Sequence, residues 1–338
     1  MTSAESSGQV CVKQVQRVRH ADSTRMVRPG DFDARIVARH ASLAELPERG
    51  RYVPLYADWR AARLVYGRWE GDAALSDVPF LYQHQRRHVR WLAEVPFDLL
   101  DAWDDAAGLT PTFVFSIGRC GSTLLSRLLA AAGEPAISEP DVLTNVACVD
   151  DDAELAALQR WGPSVVRAAV SGLALACGRA PVIKLRARCN RAVEVFLQAF
   201  AQARYVFMFR DRDDWVRSTS RAFGERGEVL AELLKVSVEA FDCLHRAGVG
   251  PELIWYEDLL AGPLPALQRI VSDPASLAAC SDAIVAALGR DAQEGSGLSR
   301  EVMSVRGADA DALAAFDARW RTIRCDALLS AHSLARLR

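Results

Sequence analysis

The sequence predicts an α/β fold of three layers, a central parallel β-sheet flanked by helices, with an appended N-terminal subdomain. Three observations predict it. Five short apolar runs after residue 110 lack the in–out alternation of a half-exposed strand, as strands buried on both faces should. Stretches of helical periodicity separate these runs, and alternating strands and helices build a parallel sheet. The first hundred residues show no such regularity. The expected division is 1–105 for an appended cap and 106–338 for the main domain, which a chain of 338 residues can accommodate.

In chain order, residues 1–105 read as irregular, with two β-like pieces, RYVPLY and ARLVYGRW. FLYQHQRRHVRWLAEV follows and alternates apolar and basic positions at near-helical spacing. His84 and His88 stand four apart there, which is metal-ligand spacing. No acidic third ligand sits beside them, so a packed or solvated helix face is expected and no metal site. The strands of the sheet are expected at TFVFSI (112–117), AIS (136–138), PVIKL (181–185), YVFMF (205–209) and LIWY (253–256). Helices are expected in STLLSRLLAAA closing at Gly133, from ELAALQRW to LALACG, in NRAVEVFLQAFAQA, and in VLAELLKVSVEAFDCLHRAG.

Composition excludes several function classes. Half the residues are apolar, a quarter are charged and the net charge is -2, which gives no footprint for nucleic acid or a membrane surface. The N-terminus lacks the apolar core of a signal peptide, and arginines interrupt every stretch that approaches a membrane span. The eight cysteines form no CxxC pair, so free thiols in a reducing cytoplasm are expected. Of 41 basic residues the lysines are Lys13, Lys184 and Lys235; all the others are arginines.

Ligands of open α/β sheets bind beyond the carboxyl ends of the strands, so the residues there carry the argument. After the first strand comes Gly118-Arg119-Cys120-Gly121-Ser122-Thr123. Its glycines let successive N–H groups face one anion, and the helix behind adds its positive end. Ser122 or Thr123 can cap that helix. The segment is either a phosphate-binding loop or an ordinary strand-to-helix turn. The lysine of a nucleotide-triphosphate loop is missing, and Gly121 stands in its place.

Glu139, after the second strand, is either a general base for an incoming hydroxyl or a solvated residue before Pro140. Lys184 lies inside an apolar strand and either meets a negative partner or snorkels to solvent. In a chain that otherwise chooses arginine, a lysine there suits a compact point charge. Arg210 ends the fourth strand, and Ser218 follows on the next helix, where the two can converge on a second phosphate. Asp211, Asp213 and Asp214 hint at a metal site, but capping by Asp213 or Asp214 explains them more simply. Tyr256 ends the fifth strand and either stacks on a base or packs in the core.

Taken together, these residues resemble the sulfotransferase family, whose donor is 3′-phosphoadenosine 5′-phosphosulfate (PAPS). GRCGSTLL stands where members hold the donor's 5′-phosphosulfate, and Arg210 and Ser218 in RDRDDWVRS match the 3′-phosphate pair. YEDLLAGP, beginning at Tyr256, resembles the stretch near the adenine pocket. The resemblance spans about residues 112 to 270 and is closer to the tyrosylprotein and carbohydrate types than to the cytosolic small-molecule type. The latter place a catalytic histidine where this chain has Arg186.

The resemblance implies a P-loop fold, with Glu139 as general base and Lys184 and Arg119 stabilising the leaving nucleotide. The donor's contacts would be Gly118, Arg119, Cys120, Gly121, Ser122, Thr123, Arg210, Ser218 and Tyr256. QEGSGLSRE (293–301) is the candidate for the family's late glycine-rich segment, with Ser296, Ser299 and Arg300 as 3′-phosphate contacts. No metal is implied. The acceptor is a hydroxyl or amine on a small molecule, carbohydrate or peptide. The rival readings are a phosphotransferase using Mg-ATP and a non-catalytic nucleotide-binding protein.

Overall fold

In a computed structural model, the structure describes residues 8–21, 25–71, 74–78, 80–100, 108–292, 299–304 and 311–338. Two five-stranded sheets organise them. The first is antiparallel and is built from β1 (Val10–Val18), β2 (Phe32–His40), β3 (Val53–Asp58), β4 (Arg63–Trp69) and β5 (Val89–Pro96) in the order β2-β1-β5-β4-β3. The expectation of an irregular N-terminal hundred is thereby corrected. RYVPLY and ARLVYGRW form β3 and β4, joined by a turn in which Asp58 Oδ1 accepts from Ala61 N at 3.0 Å.

FLYQHQRRHVRWLAEV is a helix for only half its length. Leu81–His88 is helical, and from Val89 the chain continues as the strand β5. β1 and β2 lay outside any apolar run. Their sequences, VCVKQVQRV and FDARIVARH, bury only Val10, Cys11, Val12 and Phe32, and β2 is an outer strand.

The second sheet is the expected parallel one, flanked by helices in a mixed α/β arrangement. Its strands are β6 (Thr112–Ser116), β7 (Ala136–Ser138), β8 (Val182–Lys184), β9 (Arg204–Phe209) and β10 (Glu252–Trp255), in the order β10-β9-β6-β8-β7. All five apolar runs fall on strands, except that Tyr256, expected to end the fifth, opens the helix Tyr256–Ala261. β6 pairs with β9, and β9 with β10, in parallel register. Phe113, Val114, Phe115 and residues 205–209 are buried, which is why these runs do not alternate.

By contact density the chain divides into two compact units: Met1–Pro111, Ile137–Ile183 and Glu194–Ala203 in one, and Thr112–Ala136, Lys184–Val193 and Arg204–Arg338 in the other. In the first unit the long helix Asp152–Cys177 starts at Asp151, whose side chain accepts from Glu154 N, and stops at Gly178 with φ 74°. Gly172 lets this helix approach β3 and β4, since a methyl there would come within 2.8 Å of Pro54 and 2.9 Å of Tyr66. In the second unit Gly227 opens the helix Gly227–Arg246. A methyl on it would collide with the backbone of Ala312–Trp320, so glycine permits that close helix pair.

Candidate functional site

β6 delivers the chain into a loop of three left-handed residues, Gly118 at φ 71°, Arg119 at 49° and Gly121 at 79°. Glycine adopts this conformation freely, whereas for Arg119 it costs about 1–2 kcal/mol. Gly121 is also the N-cap of the helix Ser122–Ala131, which has no side-chain cap. The expectation that Ser122 or Thr123 caps it is corrected, because both lie inside the helix and are buried. The Ser122 and Ser116 hydroxyls sit 3.3 Å apart, and Gly118 N donates to Ser116 Oγ at 3.4 Å. The loop thus presents an uncapped helix N-terminus, where the backbone favours negative charge.

The Cys120 side chain is wholly buried. Burial pushes its thiol up, while a hydrogen bond with Ser116 and the charge of Lys184 work the other way. Lys184, whose charge is felt at Cys120, is buried at the end of β8.

The segment after β9 completes the cluster. Arg210 Nη1 donates to the Arg119 carbonyl at 3.3 Å, and Arg119 Nε donates to Ser218 Oγ at 3.4 Å. The Arg210 guanidinium lies 4.7 Å above the Tyr256 ring. The same ring fills the space beside Gly121, where a methyl would come within 2.7 Å of Cε2. Gly121 is thus required twice, by its φ and by Tyr256. The Arg119 guanidinium is held below its ordinary value first by burial and then by the charge of Arg210. Arg210 Nε is buried without a hydrogen bond, with Glu257 Oε1 3.9 Å away.

Ser218 lies in the second turn of the helix Arg212–Phe223. Its N-cap is Asp211, so capping by Asp213 or Asp214 is corrected. Those carboxylates face Arg212 at 2.8 Å and Arg217 at 3.7 Å.

The structure thus brings together Gly118 to Thr123, Lys184, Arg210, Ser218 and Tyr256. Glu139 belongs to the other compact unit, directly after β7, and holds a left-handed φ of 54°. Arg300 opens the short helix Arg300–Ser304, with its side chain outside the described residues, as are 293–298 and with them Ser296. Ser299 is buried, and its hydroxyl accepts from Val302 N at 3.4 Å.

His84 and His88 have ring centroids 4.5 Å apart, and burial followed by the His88 charge holds His84 low. Among the described residues no group of three or more His, Cys, Asp or Glu is placed to hold a metal, and no helix is long and apolar enough to cross a membrane.

Sequence reasoning missed two supports. Trp215 Nε1 donates to the Gly118 carbonyl at 2.9 Å, and Asn190 Nδ2 donates to Ser116 O at 3.0 Å and Ser237 Oγ at 2.8 Å. A tryptophan between Arg210 and Ser218 was the available signal for the first. Asn190 carried none.

No family model matches the chain, and no curated protein matches it. Among solved structures the chain is similar to the crystal structure of sulfotransferase STF1 from Mycobacterium tuberculosis H37Rv, with 15% identity over 67% of this chain and 80% of that chain. The TM-score is 0.38, at which the likeness carries no argument, so the functional reading rests on the site's own residues.

Proposed function

We propose that the protein is a sulfotransferase that moves a sulfuryl group from PAPS to a hydroxyl or amine of a small molecule, carbohydrate or peptide. The reading takes 106–338 as a P-loop domain, 1–105 as its cap, and the cytoplasm as its setting. One observation carries it. Two guanidinium groups converge, Arg210 Nη1 on the Arg119 carbonyl and Arg119 Nε on Ser218 Oγ, at an uncapped helix start, with the buried Lys184 ending the strand beside β6. Such an arrangement fits an anion with two separated acidic groups, and the buried Arg210 Nε supplies a donor for it.

PAPS, when bound, supplies the activated sulfuryl group and leaves negative charge on its 5′-phosphate. Gly118 to Thr123 cradle that end through backbone N–H groups, and Arg119 and Lys184 offset the charge that develops there. Arg210 and Ser218 hold the 3′-phosphate, with Arg300 as a further contact. Tyr256 borders the nucleotide and keeps the Arg210 plane in place. Glu139 takes the proton of the acceptor as its oxygen or nitrogen bonds to sulfur. None of these roles calls on a metal.

The test is thermal denaturation with 3′,5′-phosphoadenosine in EDTA, set against Mg-ATP. Bound ligand at 100 times its Kd stabilises by about 2.7 kcal/mol. We expect a rise in melting temperature with 3′,5′-phosphoadenosine alone. A rise with Mg-ATP alone would replace the reading with a phosphotransferase, and no rise with either would leave a protein without this donor site. In a coupled assay Glu139→Gln is expected to lower turnover about 100- to 10,000-fold; full turnover would remove Glu139 from the mechanism.

A further inference from the structure

The loop's left-handed pair, Gly118 and Arg119, is gripped three times by one neighbouring segment. Arg210 Nη1 takes the Arg119 carbonyl, Ser218 Oγ takes the Arg119 guanidinium, and Trp215 Nε1 takes the Gly118 carbonyl at 2.9 Å. All three come from Arg210 and the helix that follows it, with Trp215 and Ser218 three residues apart on that helix. Trp215 is 1% exposed and stands edge-on to Phe316, 6.4 Å between centroids. Its ring is therefore fixed by packing, and its N–H is spent on one loop carbonyl.

Resting on the donor reading above, we propose that Trp215 is a positioning residue that couples the two ends of the nucleotide site. The indole N–H holds the Gly118 peptide in its left-handed setting, which keeps the following residue, Arg119, against Ser218. Arg210 and Ser218 serve the 3′-phosphate, and Gly118 and Arg119 serve the 5′ end. A phosphate bound at either end then orders groups that the other end also uses, so the 3′-phosphate contributes more to affinity than its own contacts supply. A tryptophan that only filled the core would support both ends equally.

The experiment compares Trp215→Phe with the wild-type protein by calorimetric titration of 3′,5′-phosphoadenosine and of 5′-AMP, which lacks the 3′-phosphate. Phenylalanine keeps an aromatic ring in the core and removes the donor. The affinity for 3′,5′-phosphoadenosine is expected to fall about tenfold, and the ratio of the two affinities is expected to shrink with it. An unchanged ratio overturns the proposal, whether both affinities fall together or neither moves.

Melting temperatures without ligand are read beside the titrations. Where Trp215→Phe unfolds, Ser218→Ala replaces it, since the coupling predicts that removing the hydroxyl also weakens 5′-AMP. An unchanged 5′-AMP affinity in Ser218→Ala overturns the coupling by that route. A wild-type protein that binds neither nucleotide would overturn the donor reading itself, an outcome separate from an unchanged ratio.

Discussion

A buried and a half-buried arginine in this molecule are held in opposite ways. Arg86, in the unit that contains the antiparallel sheet, is 1% exposed and meets Asp31 at 3.1 Å and the Arg25 carbonyl at 2.8 Å. Arg119, in the other unit, faces Arg210, whose charge makes its own less favourable. The first arrangement neutralises a cation inside the protein, and its value is structural. The second sets two guanidinium groups side by side at an uncapped helix start, and its left-handed backbone adds strain of the kind that collects at functional sites. A buried cation is therefore informative only together with what it faces.

The sharpest way to break this contrast is to remove each arginine. Arg86→Ala leaves Asp31 without its partner and is expected to cost about 3–5 kcal/mol of stability, measured by urea denaturation. Arg119→Gly is expected to leave the ligand-free protein at or above wild-type stability. It removes a guanidinium whose charge is disfavoured first by burial and then by Arg210, and hands the left-handed position to the residue that accepts it. The same variant should lose at least about tenfold in affinity for 3′,5′-phosphoadenosine. A large loss of ligand-free stability in Arg119→Gly would make Arg119 structural and erase the distinction.

Lysines extend the comparison to turnover. Lys13 is paired with Glu94 within the antiparallel sheet, whereas Lys184 acts on the loop. Lys184→Ala is expected to lower turnover about 100- to 1000-fold, the scale for losing one preorganised charge at a reacting oxygen. Lys13→Ala should leave turnover unchanged. Equal losses in both variants would show that the assay reads stability and not chemistry.

The sequence carried the two units unequally, for physical reasons. Strands such as Thr112–Ser116 and Arg204–Phe209 are buried on both faces, so their apolar runs stand out. β1 and β2 are half-exposed, carry Lys13, Arg17, Arg35 and Arg39, and pair with register shifts after Val12 and Val15, so no clean period survives. At the site, glycines and cations at strand ends were legible because a loop, a point charge and an Arg–Ser pair each have a local spacing. Trp215 and Asn190 were not, since their hydrogen bonds to the Gly118 and Ser116 carbonyls span 97 and 74 positions. The capping role of Gly121 was hidden behind the two hydroxyl residues that follow it.

The smallest expected effect separates the loop's charge from the rest of the molecule's response to pH. His332 Nε2 lies 2.9 Å from Asp242 Oδ1, Arg246 donates to the same carboxylate at 2.7 Å, and the His245 ring stacks on His332 at 4.5 Å with Phe241 edge-on to both. Burial, and then the charge of His332, hold His245 below its ordinary value, while Asp242 opposes them. A histidine held low binds its proton more readily in the unfolded chain. It therefore contributes nothing above about pH 6.5 and subtracts stability as pH falls from there through its folded pKa.

Asp242 itself is held low by His332 and Arg246 against the opposing effect of burial. Its contribution is present above the usual carboxylate range and is lost only below it, outside this window. His245→Gln is thus expected to flatten the decline in stability between pH 7 and pH 5, read as melting temperature in matched buffers. It should leave affinity for 3′,5′-phosphoadenosine as it was. If the two acid limbs superimpose, the decline belongs to other groups. If nucleotide affinity moves with them, the site around Arg119 and Arg210 is not independent of the histidine pair.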